Sequence, residues 1–250
     1  MNKIGVQLYT LRDLMKDAFV PTLEKVAKIG YEGVEFAGYG DMPIKALRDV
    51  VVDLGLTPVS SHVSLNELQN RLSGVIEEAS VLQLEYVFCP YLPEELRRSK
   101  SDYQQLAEFF NRVGESFAEV DIRFGYHNHA FEFLTFDNTF ALDYLYEHTQ
   151  KEYVKAELDL YWIAYAHQDP SEYIRRYAGR CPVVHLKDMT ADDERFFAEV
   201  GHGTLNWPGI LSAAEESDVQ WYIVEQDVCR NNPLESIQMS FEFLTQLRSQ

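Results

Sequence analysis

Short β-type runs alternate with helix-type stretches eight times along this chain, and that alternation constrains the fold more than any other feature. The strand candidates are Ile4–Leu8, Gly33–Phe36, Thr57–His62, Tyr86–Cys89, Arg123–His129, Val154–Asp159, Val183–Lys187 and Trp221–Glu225. Seven steps from residue 8 to residue 225 average 31 residues each, the size of one strand plus a crossover helix. Parallel neighbours require such crossovers, so the pattern predicts a parallel α/β sheet. An open doubly wound sheet would carry a Gly-rich phosphate loop after its first strand, whereas this chain reads Gln7-Leu8-Tyr9-Thr10-Leu11 there. The better fit is a (β/α)8 TIM barrel. No Gly/Ser linker or charge block divides residues 1–250, which read as a single domain.

The intervening stretches carry helix punctuation. Phe19, Leu23, Val26 and Ala27 share one helical face, and Gly30 sits where a C-terminal cap belongs. Pro43 opens the next pattern and Gly55 closes it. Ser64 with Glu67 has capping-box spacing, and Ser101 with Gln104 repeats it. Asp169-Pro170 with Glu172 starts a further helix that Gly179 stops; Asn206-Trp207-Pro208 and Asn232-Pro233 start the last two.

Composition narrows the function classes. Forty acidic against 22 basic residues give a net charge of −18, which repels a phosphate backbone, so nucleic acid is not an expected partner. No apolar run approaches the ~20 residues of a membrane helix, and the N-terminus shows no signal-peptide pattern. Cys89, Cys181 and Cys229 are an odd number in no zinc-like spacing and suit a reducing cytoplasm, the expected location.

In a barrel of this kind chemistry gathers at the C-terminal strand ends. Glu132, Asp159, His185 and Glu225 lie at or just beyond four consecutive ends and so can converge near the axis. Each has an ordinary explanation alone: a strand histidine bonded in the core, Asp159 capping a helix, Glu225 paired with an arginine. Together, three carboxylates near one another need a cation to avoid protonation or repulsion. An oxygen-rich set with one imidazole suits one divalent cation, Mn²⁺ first, with Mg²⁺, Co²⁺ or Zn²⁺ tolerated.

With these residues in view, the chain resembles the sugar phosphate isomerase/epimerase family with the xylose-isomerase-like barrel, over essentially all 250 residues. The matching motifs are Tyr126-His127-Asn128-His129 with Glu132-Phe133, Asp159 with Trp162, His185-Leu186-Lys187-Asp188, Gly201-His202-Gly203 and Glu225. The resemblance implies that Glu132, Asp159, His185 and Glu225 hold the cation and that the two glutamates flank the substrate. Ketose 3-epimerases carry a histidine where this chain has Trp162 and an arginine downstream of the strand-seven histidine, where Lys187-Asp188 stands. The closer subgroup resemblance is to inosose dehydratases and 3-keto-glycoside-cleaving enzymes.

The expected chemistry is proton abstraction α to a metal-bound carbonyl of a small carbohydrate, by Glu132 or Glu225. Reprotonation gives a sugar isomerase or epimerase, the expected activity; a leaving group β to the carbanion gives the alternative, a lyase or dehydratase. His129 is a candidate general acid and Lys187 a candidate oxyanion stabiliser, or else a partner of Glu157. His62, His127, Trp162 and His202 are candidate substrate contacts, with Glu35 a hydroxyl binder and His202 in a Gly-flanked candidate lid. Either strand-five histidine could instead orient a ligand, and the aromatics could simply pack. A zinc apurinic endonuclease would need a trinuclear cluster and a basic track, which seven histidines and the acidic balance oppose. A silent binding barrel and a homo-oligomer both stay open.

Overall fold

In the computed structural model, which describes residues 2–248, eight parallel strands close on themselves in chain order. They are Lys3–Gln7, Gly33–Phe36, Thr57–His62, Tyr86–Cys89, Arg123–His127, Val154–Asp159, Val183–Leu186 and Trp221–Val224. The ring shuts where Lys3 pairs with Trp221 and Val6 with Val224. The (β/α)8 barrel read from the alternation is therefore the fold. Four strands end earlier than their sequence runs suggest, so Leu8, His129, Lys187 and Glu225 stand just past the ladder.

The helices start and stop largely where their punctuation says. Gly30 caps Phe19–Ile29 with φ +115°, a conformation a side chain would strain. Ser64 accepts from the Glu67 N–H, and Asn206 from that of Gly209. The long helix Lys100–Ala118 differs: Ser99 caps it, not Ser101, because Asp102 completes a reciprocal box by accepting from the Ser99 N–H at 2.8 Å. Two hairpins, Thr135–Phe136 with Thr139–Phe140 and Asp188–Met189 with Phe197–Ala198, are too short to leave a periodic signal. Among the described residues no helix is long and apolar enough to cross a membrane.

Inside the ring the N-terminal half is an apolar plug of Val59, Tyr86, Phe88, Val183, Trp221 and Ile223. Glycines make room for it. A Cβ on Gly33 would lie 2.9 Å from the Trp221 ring, and one on Gly125 would lie 2.6 Å from Phe88. Above this plug the inward positions turn polar.

Candidate active site

Strand alternation carries Gln7, Glu35, His127, Glu157, Asp159, His185, Lys187 and Glu225 into the upper half of the barrel, all buried, with His62 beside them. His127, Asp159, His185 and Glu225 each offer one ligand atom, all within 4.8 Å of one another. Three of the four expected ligands are thus brought together. The fourth, Glu132, does not join them, and His127 stands in its place.

The reason is the turn after strand five. Phe131–Phe133 forms a 3-10 turn that folds Glu132 back against Tyr126. Tyr126 packs on Phe110 of the helix Lys100–Ala118, outside the barrel. Its hydroxyl donates to one Glu132 oxygen, and the His129 N–H donates to the other at 2.8 Å. Burial pushes the Glu132 carboxyl up to about 7 despite both bonds. His127, by contrast, shares the inward parity of Gly125. Burial and the neighbouring His185 and His62 charges hold its pKa well below the ordinary value, so the ring is neutral and has a lone pair to give.

The other three groups are fixed by their surroundings. Asp159 Oδ1 caps the helix Leu160–Tyr165 by accepting from the Trp162 N–H at 3.0 Å, so the capping role and the site role belong to the same carboxylate. Its Oδ2 is buried, accepts no well-aligned hydrogen bond, and meets the Lys187 ammonium at 2.8 Å. Glu225 lies 2.9 Å from His185 Nδ1 and 2.6 Å from Lys187 Nζ. Burial would raise its pKa, but the Lys187 and His185 charges outweigh burial and hold it well down. Lys187 also reaches Asp227 at 2.9 Å, an acid the strand-end reading passed over because it lies two residues beyond Glu225. Burial opposes the Lys187 charge; three acids more than offset it and raise its pKa. Glu157 pairs with histidines, 2.7 Å from His62 and 3.2 Å from His127, rather than with Lys187.

This donor set fits a divalent cation: two imidazoles and two carboxylates, the Asp159 Oδ2 atom free of any well-aligned hydrogen bond, converge where the separation suits a single ion. A cavity of about 410 Å³ opens directly onto it, lined by Tyr9, His62, Tyr91, His129, Glu225 and Asp227 among others. His129 is stacked on Phe131, with centroids 5.5 Å apart, and flanked by Trp162, also at 5.5 Å. Its Nδ1 is buried without a partner, as is the Trp162 indole N–H. Burial, with the Lys187 charge, pushes His129 down to about 3 and keeps it neutral.

His202 is exposed and makes no side-chain contact with these groups. Its loop is pinned by buried Asp188, whose carboxylate accepts from the N–H groups of Met189, Gly201, Gly203 and Leu205 and the Trp207 indole at 2.6 Å. A Cβ on Gly203 would sit 2.3 Å from Asp188 Oδ1, which explains the glycine. A larger recess of about 690 Å³ lies by the helices Ala141–Glu147 and Pro170–Arg176. There Arg176 is paired with Asp143 and Arg180 donates to the Val154 and Tyr146 carbonyls, with Glu147 and Lys151 beside them.

Comparison with known proteins agrees with the barrel fold. A family model described as xylose isomerase-like TIM barrel matches residues 23–247. An inosose dehydratase of Geobacillus kaustophilus is 28% identical, over 90% of this chain and 86% of that protein. That of Clostridium tetani is 24% identical over 68% of this chain, and the match spans only 63% of its length. A sugar phosphate isomerase/epimerase structure from Parabacteroides distasonis superposes with a TM-score of 0.84 at 26% identity, covering 97% of this chain and 93% of that one. The structure of an IOLI protein with a bound zinc atom shares the fold, with a TM-score of 0.78 at 16% identity, covering 99% and 98%.

Proposed function

The chain belongs to the xylose isomerase-like TIM barrel family, and on that premise we propose that it is a divalent-cation-dependent dehydratase of a small polyhydroxylated ketone. The observation that carries this reading is the convergence of His127, Asp159, His185 and Glu225 beside a cavity that His129 lines. Bound by those four residues, a divalent cation supplies Lewis-acid stabilisation of the charge that develops on a carbonyl oxygen when the adjacent C–H is deprotonated. With a second imidazole in place of a third carboxylate, the set suits Mn²⁺, Co²⁺ or Zn²⁺ better than Mg²⁺.

The remaining steps fall to the chain's own groups. His129 is neutral and held by aromatic stacking, so its lone pair takes the proton α to the carbonyl. The imidazolium so formed returns that proton to the departing β-hydroxyl. The C–O bond breaks, water leaves, an enone remains, and His129 is neutral again. Lys187, paired with Asp159, Glu225 and Asp227, holds those carboxylates in place at the mouth. Withdrawal of Glu132 from the cavity favours elimination over two-base epimerisation, which would need opposed groups on both faces of the substrate.

Isomerase or epimerase action is the second reading, favoured by the likeness to the Parabacteroides distasonis protein. Incubating the Mn²⁺-loaded protein with inososes, ketoses and 3-keto-glycosides in D₂O separates the two. Enone formation with loss of water supports the dehydratase. Deuterium entering carbon without a leaving group supports the isomerase, and neither result on any substrate class removes both.

A further inference from the structure

Each of the two histidines in the cation set is gripped from both sides. His185 Nδ1 faces Glu225 at 2.9 Å, while its Nε2 lies 2.6 Å from Glu35. His127 is turned the other way: its Nε2 faces Asp159 at 3.6 Å, and its Nδ1 lies 3.2 Å from Glu157. Glu35 and Glu157 are fully buried, one layer below the cation set. Gln7 and Ser60 donate to Glu35 at 2.8 and 2.7 Å and hold it still. His62 bridges the two acids, 2.7 Å from Glu157 and 3.3 Å from Glu35.

We propose that Glu35 and Glu157 are positioning residues that select the ligating nitrogen of His185 and His127. This rests on the cation reading above. A neutral imidazole has one N–H and one lone pair, and only the lone pair can bind a metal. A carboxylate below each ring accepts the N–H and so leaves the upper nitrogen free. Applied to these contacts, the rule gives opposite tautomers: His185 protonated at Nε2 and ligating through Nδ1, His127 protonated at Nδ1 and ligating through Nε2. Neither acid touches the cavity chemistry; both act through the rings.

The lower groups could be read instead as a second cation site, since His62, His127, Glu157 and His185 also come within 4.8 Å of one another. Filling both sites would require both nitrogens of His127 and of His185 to ligate, two bridging imidazolates in all. One cation above and N–H donors below require none. The arrangement therefore binds a single equivalent.

The test begins with wild-type protein stripped by a chelator and titrated with Zn²⁺ and Mn²⁺ by calorimetry. One equivalent is expected. Glu35→Gln and Glu157→Gln, each checked for folding by circular dichroism, should keep that stoichiometry and bind roughly 10–100-fold more weakly. Nitrogen-15 spectra of the Zn²⁺-loaded wild type, which need no variant to fold, should show one ring ligated through Nδ1 and one through Nε2. Wild-type affinity in both variants, both rings ligated through the same nitrogen, or two equivalents of which Glu157→Gln loses one would each overturn the positioning role. No binding to wild type would overturn the cation reading with it, so the two failures are distinct.

Discussion

The two halves of the barrel interior are built by the same strands and held by opposite means. Strand eight contributes Trp221 and Ile223 below and leads into Glu225 above; strand seven contributes Val183 below and His185 above. The lower half is apolar burial, which needs no partner and is indifferent to pH. The upper half sequesters Glu35, Glu157, Asp159, Lys187 and Glu225, groups that cost free energy to dehydrate and are tolerable only because each meets an opposite charge or an imidazole. The plug supplies the stability that lets the mouth hold groups chosen for chemistry.

Five variants test that division, from the largest expected effect down. Glu225→Gln and His129→Gln should each slow solvent exchange at the substrate carbon by about 10²–10⁴-fold. The urea midpoint should move little in His129→Gln, whose ring holds no ion pair, and fall in Glu225→Gln, which strips a carboxylate from buried Lys187 and His185. A collapse of stability in His129→Gln would erase the distinction between the halves. Trp221→Ala should do the reverse. Emptying the plug costs about 3–5 kcal/mol in denaturant unfolding, while cation affinity per folded molecule stays intact.

Glu132→Gln comes next and separates the outer acid from the mouth. The folded chain holds the Glu132 proton more tightly than the unfolded chain, with its pKa up from 4.5 to about 7, so protonation favours folding. That stabilisation is complete below about pH 4.5 and is lost as the pH rises through 7. The variant should remove about 3 kcal/mol of this pH dependence and still bind the cation. Loss of cation binding in Glu132→Gln would restore Glu132 to the ligand set. The smallest effect belongs to His202→Ala on its exposed loop, within about 0.5 kcal/mol in stability and about twofold in kcat/KM. A larger loss would bring His202 into the site.

Much of the site was legible from strand parity. Asp159, His185 and Glu225 sit at the ends of runs whose alternation points them inward, and the same count carried Glu157 inward. His127 had that signal too: it lies two residues past Gly125, on the last rung of strand five. Glu132, five residues later, lies past the end of strand five, where parity no longer says which way a side chain points. Asp188 was visible as part of His185-Leu186-Lys187-Asp188, but its five donors come from residues up to nineteen positions away.

The sequence by itself determined the barrel, because strand period, crossover length and helix caps are local properties that each segment carries alone. It also determined that Asp159, His185 and Glu225 point into one end of the barrel, since alternation along a strand is equally local. Only the tertiary structure decided that Glu132 turns outward to Tyr126, that His127 takes its place, and that two deeper glutamates grip the histidines from below. Those outcomes depend on which distant groups face a side chain once the ring closes. A carboxylate goes where its hydrogen bonds are satisfied, and that place is set by packing between strands and helices far apart in the chain.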